Sequence, residues 1–223
     1  MRQRFVCVSY WLVMVMALVP HYLLGQRVAH DPYSFACRSS HYMLDDFEKQ
    51  PTVPSPDTMK AVQLTKNGKF RVTGRKTPLS YFGLPDVSCN VEVGWSPDSS
   101  EFFISYSDAG AIGGYHVHLY RVVGNTVEKS RVPTAVAERF KTEHWCESRG
   151  NNLFFLDWTP DSKVAFLVAE VYPTSDCGKE SGVYRGYAVR LRDGKILRIF
   201  SEKETDSIEK DCHASGRLVL PSE

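Results

Sequence analysis

The sequence predicts a mainly β chain, assembled from antiparallel four-stranded units in a stack and interrupted by one helical insertion. Three observations carry that prediction. From Lys60 onward, short runs rich in Val, Phe, Tyr and Ile alternate with Asn-Gly, Asp-Gly and Gly-Asn turns, the signature of a hairpin series. The stretch GWSPDSSEFF at 94–103 returns as DWTPDSKVAF at 157–166. Between the two copies, TAVAERFKTEHWCESRG at 134–150 has Ala, Glu, Arg and Lys around Val136, Phe140 and Trp145, and reads as a helix.

The chain of 223 residues is 43% hydrophobic and 24% charged, with 27 basic against 26 acidic side chains. That composition is globular, and the absence of a charge block gives no reason to expect nucleic acid or an anionic membrane surface as a partner. MRQRF, the apolar run VCVSYWLVMVMALV, then Pro20 and Gly25 have the layout of a secretory signal peptide over residues 1–25. Its removal would leave no membrane insertion. The alternative is an uncleaved anchor, since the apolar stretch approaches the length of a bilayer span. Export makes Cys37, Cys89, Cys146, Cys177 and Cys212 disulfide candidates rather than metal ligands.

Residues 26–58 read as an N-terminal extension, with SSHYMLDDFEKQ as a short helix and Pro51, Pro54 and Pro56 as an extended linker. The β domain then occupies 59–223. In WSPDS and WTPDS, Pro97 and Pro160 preset φ for the first central position of a tight turn, and Asp98 and Asp161 bond nearby amides. Trp95 and Trp158 end the incoming strands. FFISY and VAFLV follow as nearly continuous apolar runs, which suits strands covered on both faces. GYHVHLYR (114–121) then aligns with GYAVRLRD (186–193), so each copy, about 87–132 and 151–203, is four strands. The tryptophans lie 63 residues apart, and the helical insertion accounts for the excess over a repeat of roughly 40–50 residues.

GWSPDSSEFFISY and DWTPDSKVAFLV resemble the WD40-like repeat of TolB-type β-propellers, in which W-S-P-D-G/S opens a blade. The resemblance spans about residues 87–203 and implies a partial or small propeller-like stack. Two clear copies and a weaker hairpin at 60–74 are fewer than a closed ring needs. A degenerate small propeller, a partial one capped by its own extension, and one completed by another chain are the three readings that follow.

The connections 107–114, 133–152 and 170–185 are long, whereas SPDS, TPDS, VGN and RDG are tight. Alternate connections emerge on the same side of an up-and-down sheet, so the long loops are expected on one face, where binding residues concentrate. Asp108, His144, Trp145, Tyr172 and Asp176 are the candidate binding residues there. The preferred disulfide is Cys146 with Cys177, closing a loop worth roughly 3 kcal/mol. Cys37 with Cys89 or with Cys212 is the second. Cys89, Cys146, Cys177 and Cys212 are all expected on or near the long-loop face.

His116 and His118 lie on the same side of a strand, a spacing that can hold a metal. The aligned Ala188 and Arg190 favour an ordinary surface or interface role instead. No nucleophile elbow, phosphate loop or H-E-x-x-H motif occurs, and no cofactor is expected. The leading expectation is an exported non-catalytic binding module for a protein or envelope component, in a narrower version an inhibitor or toxin-neutralising protein. A small exported hydrolase or metal-dependent enzyme, and a structural homodimer through exposed sheet edges, are the competing classes.

Overall fold

The computed structural model describes residues 35–65, 69–74, 78–83, 90–107, 114–144, 146, 151–173 and 175–221. The expected signal peptide lies outside the described residues. The chain is mainly β, with thirteen strands in three antiparallel sheets and two α-helices among the described residues.

Strand β1 (Ser40–Met43) and a 3-10 turn (Leu44–Lys49) come first, then β2 (Thr52–Pro54), β3 (Lys60–Leu64), β4 (Lys69–Gly74) and β5 (Pro78–Gly83). Strands β2 to β5 pair in sequence order as the first sheet. The second sheet is β6 (Asn90–Trp95), β7 (Glu101–Ser107), β8 (Tyr115–Val123) and β9 (Thr126–Lys129), with β1 added on the β6 edge. Helix α1 (Val132–Glu143) leads to the third sheet: β10 (Asn151–Trp158), β11 (Val164–Val171), β12 (Tyr184–Arg190) and β13 (Ile196–Phe200). Helix α2 (Glu202–Ser215) closes the order.

The sheets stack through two seams. Val62, Leu64, Phe70 and Val72 of the first sheet meet Val93, Phe102 and Ile104 of the second. Phe103, Val117 and Leu119 of the second meet Phe155, Leu167 and Val189 of the third, with Val132, Val136 and Phe140 of α1 filling the same seam. The middle sheet is therefore covered on both sides, and every residue of β7 is buried. In β3 only Val62 and Leu64 are buried while Ala61 and Gln63 on its other face are half-exposed, so the first sheet ends the stack.

Each tryptophan plugs the seam to the preceding sheet. The Trp95 indole N–H donates to the Val53 carbonyl (3.0 Å), and Trp158 packs on Phe103 and Phe155. Pro54 stands where these tryptophans stand, and among the described residues no sheet precedes the first one.

The stretch expected to be a linker carries a third copy of the turn. Ser55, Ser96 and Thr159 each donate a hydroxyl hydrogen bond to the aspartate two residues on, at 2.6, 2.7 and 2.7 Å. The same hydroxyls accept the amide of Lys60, Glu101 and Val164 respectively. Thr58, Ser99 and Ser162 adopt positive φ of 57°, 62° and 57°. The turns also join one another. The Asp57 amide donates to Ser99 Oγ (3.0 Å), and the Asp98 amide to Ser162 Oγ (3.1 Å).

Other expectations are revised. Residues 40–43 form a strand instead of a helix because the β6 edge offers an antiparallel partner, with Ser40 opposite Val93 and Met43 opposite Asn90. The insertion helix ends at Glu143, not 150, capped at His144. Helix α2 was not foreseen. A capping box opens it, with Ser201 accepting the Glu204 amide and Glu204 accepting the Ser201 amide, and Gly216 ends it at φ 64°. Its Ile208 and Cys212 cover Phe166, Ala188 and Phe200 on the outer face of the third sheet, together with Phe35 and Leu218.

Candidate functional site

The hairpin directions place the three tight turns at one end of the stack, and at the other the ends of β7, β9 and β11 from which the longer connections leave. Two of the long connections are fastened together. Cys146 is disulfide-bonded to Cys177, and His144 Nδ1 lies 2.9 Å from Glu180 Oε2. His144 reaches this position as the residue that ends α1, its amide bonded to the Phe140 carbonyl and its ring 4.9 Å from the Phe140 ring. The hydrogen bond from His144 is the main cause that holds the Glu180 carboxyl below its ordinary range. The expected pair Cys146–Cys177 is thus present, and the end of the helix is fastened to the β11–β12 connection.

The candidate binding residues fare differently. Asp176 is exposed beside Cys177. His144 contributes through its tie to Glu180, with its side chain only 14% exposed. Tyr172 is buried, so it packs under the loop rather than presenting a contact aromatic. Asp108, Trp145 and Cys89 lie outside the described residues.

Cys37 pairs with Cys212, not with Cys89. That staple is also at the other end of the stack from the long loops, contrary to expectation. The Cys37 amide donates to the Leu156 carbonyl (3.0 Å), near where β10 enters its tight turn. Beside it, the Arg38 guanidinium donates to Asp157 Oδ2 at 3.0 and 3.1 Å. Burial pushes the Asp157 carboxyl up, opposed by the Trp158 amide and by Arg38. Cys37, Asp157 and Cys212 bring three ligand-type side chains together, but two of them are consumed in the S–S bond, and a thiolate rather than a disulfide is what binds metal.

His116 and His118 face the seam between the first and second sheets. His118 stacks on Tyr106 at 5.6 Å with its Nε2 3.3 Å from the Tyr106 hydroxyl, while His116 is exposed. Burial, aided by Lys129 and His116, lowers the His118 pKa to about 4, so the ring is neutral at physiological pH. These partners make His118 a seam residue.

A polar cluster that sequence reasoning missed lies at the long-loop ends of the strands. Asn152 Nδ2 donates to Glu170 Oε2 (2.9 Å), and Asn152 Oδ1 accepts the Tyr115 amide (3.0 Å). It ties the edge of the third sheet to the second. Nothing in the separate stretches NNL, AEV and YHV signals that they meet.

Two disulfides point to an oxidising, extracellular-type environment. Among the described residues no helix is long and apolar enough to cross a membrane. No family model matches the chain, and no curated protein is significantly similar to it.

Proposed function

We propose that the chain is an exported, propeller-like binding module, secreted or periplasmic after loss of residues 1–25, that engages a protein or envelope component through its long-loop face. The observation that carries this reading is the fastening of α1 to the β11–β12 connection by Cys146–Cys177 and His144–Glu180. A disulfide and a side-chain hydrogen bond join two surface connections that lie outside the sheet ladders. Pre-organised loops on a rigid scaffold bind with less ordering penalty.

The opposite end supports the same reading by contrast. Its turns are short and nearly identical, and their aspartates are engaged within the turns. Ser55 and Thr159 hydroxyls are the main cause holding the Asp57 and Asp161 carboxyls below their ordinary values. Of the aromatic and acidic residues expected at the binding face, exposed Asp176 is the probe to use, since Tyr172 is buried.

The test is site-directed photo-crosslinking in the source cell. A benzophenone amino acid at position 176 is expected to give a discrete crosslinked species, and the same group at position 161 is not. Crosslinks at 161 alone, or at neither position, would sink the proposal.

A further inference from the structure

The two disulfides differ in one partner: Cys37 is half-buried like Cys146 and Cys177, but Cys212 is not. Cys212 is 1% exposed within the cap of the third sheet, among Phe35, Phe154 and Leu218. Lifting that bond from its surroundings means lifting α2. Cys146 and Cys177 are both half-buried at the rim of the α1 seam.

The loop that Cys177 belongs to depends on it. From Ser175 to Ser181 its bonds are local: the Ser175 amide to the Tyr172 carbonyl, Ser181 Oγ to the Ser175 carbonyl, the Glu180 amide to the Cys177 carbonyl, whereas Gly182 and Val183 already pair with Val171 of β11. None of the described residues between Pro173 and Ser181 is buried. Tyr172, where the loop leaves β11, is buried, but beyond it the described residues up to Ser181 put no large apolar side chain into the core, and Cys177 is the part that packs against it. With the bond open, the loop loses its covalent tie to the segment after α1 and keeps the partly exposed His144–Glu180 hydrogen bond, a weak tie.

We propose that Cys146–Cys177 is a site of reversible thiol–disulfide exchange, a clasp that a dithiol reductant opens and a disulfide oxidant closes, so that residues 175–181 of the loop are held on α1 or released. A thiolate of the dithiol attacks one sulfur. The S–S bond breaks as a mixed disulfide forms, and the other cysteine leaves as a thiolate that takes a proton from water. The reductant's second thiolate displaces the remaining cysteine in the same way. The reductant ends as a disulfide and Cys146 and Cys177 as thiols, with two electrons and two protons transferred. Cys37–Cys212 stays closed, which keeps the cap and the sheets in place. The exchange stands by itself; its consequence for binding rests on the loop face being the working face.

The experiment uses the full exported chain with dithiothreitol at neutral pH, acid-quenched over time, alkylated and peptide-mapped. Hydrogen exchange is read on the same samples. Cys146–Cys177 is expected to open at least tenfold faster than Cys37–Cys212. Exchange in residues 175–181 should rise at least tenfold while the amides of β10 to β13 are unchanged. The double variant Cys146→Ser/Cys177→Ser, with unaltered β circular dichroism, should show the same loop exchange without reductant. Opening of Cys37–Cys212 first or at an equal rate overturns the proposal, as does a loop that stays protected in the double variant. Crosslinking from position 176 separates the two readings. Clasp opening with unchanged crosslinks removes the control of binding and leaves the loop face standing. Clasp opening with no crosslinks in either state removes the loop-face reading and leaves the exchange site.

Discussion

Thr58, Ser99 and Ser162 share one backbone conformation, a left-handed φ of 57–62°, and differ in what their hydroxyls do. Ser99 is buried and accepts the Asp57 amide, and Ser162 accepts the Asp98 amide. Thr58, at the start of the stack, has no earlier turn to receive. Left-handed φ in a β-branched residue is strained by about 1–2 kcal/mol. Replacing Thr58 with Gly relieves that strain and forfeits no inter-turn bond, so Thr58→Gly should raise stability by about 0.5 kcal/mol after the added chain entropy of Gly. Ser99→Gly relieves less strain and strands the Asp57 amide, for a net loss of about 1–2 kcal/mol. Urea midpoints of the two variants should move in opposite directions. His118 gives the second prediction at this scale. Its folded pKa of about 4 lies below the ordinary 6.5, so the neutral ring is the favoured folded form. The stability this provides is present above pH 6.5 and is lost as pH falls from there towards 4. Half-burial discounts the loss to at most about 2 kcal/mol. His118→Gln should flatten that part of an acid-unfolding profile, and an unchanged slope would count against the seam role.

At the scale of elements, what could be read in the sequence followed from how repetitive each element was. The second and third sheets were legible because W-S/T-P-D-S and the following apolar strands recur in register, and the turns fold as their residue types require. The first sheet was hidden by its own prolines. Pro56 occupies the same turn position as Pro97 and Pro160, but with Pro54 in the tryptophan's place and a three-residue strand before it, the segment reads as linker. The missing tryptophan is a consequence of position, since its only use is to fill a seam that the first sheet lacks. Strand β1 was illegible for a different reason: a four-residue segment becomes a strand only because a distant edge is there to pair with it. In the candidate site, Cys146–Cys177 could be inferred from loop placement, whereas the burial of Tyr172 and the partnership of Asn152 with Glu170 are tertiary facts. Helix α2 had a readable signature in Ser201-x-x-Glu204 and Gly216 that the strand pattern overshadowed. Its seating gives a prediction. A Cβ on Gly186 of β12 would stand 2.4 Å from Phe166 Cζ and 2.7 Å from Thr205 Oγ1 of α2. Gly186→Ala should therefore destabilise by about 1–3 kcal/mol and raise hydrogen exchange along 202–215 before it does so in β6 to β9.

At the scale of the molecule, the question posed by three sheets is how a stack ends without an open apolar face. The two ends use different solutions. The first sheet turns Ala61, Gln63, Lys69, Arg71 and Thr73 outward, so its face is polar among the described residues. The third sheet instead carries Phe154, Leu156, Phe166, Val168 and Phe200 on its outer face, as if another sheet were to follow, and α2 takes that place. Cys37–Cys212, with the Arg38–Asp157 pair beside it, holds this cap to the N-terminal segment. Terminal units with polar or covered outer faces are what keep stacked repeats from continuing into the next molecule. The full chain should therefore be a monomer at micromolar concentration in light scattering. Ending the chain after Ser201, with Cys37→Ser to avoid a stray thiol, uncovers those five apolar side chains. On area grounds their exposure is on the order of 10 kcal/mol, comparable to the whole stability of a domain of this size. The truncated chain should recover the loss by burying that face against a second copy, as a dimer through the third sheet or as larger aggregates. A truncated chain that stays monomeric and keeps its unfolding midpoint would mean that α2 is an appendage. A full chain that is already dimeric would place the unsatisfied surface elsewhere, at a sheet edge such as β13, and a Lys substitution at exposed Leu197 would then be the one to break it.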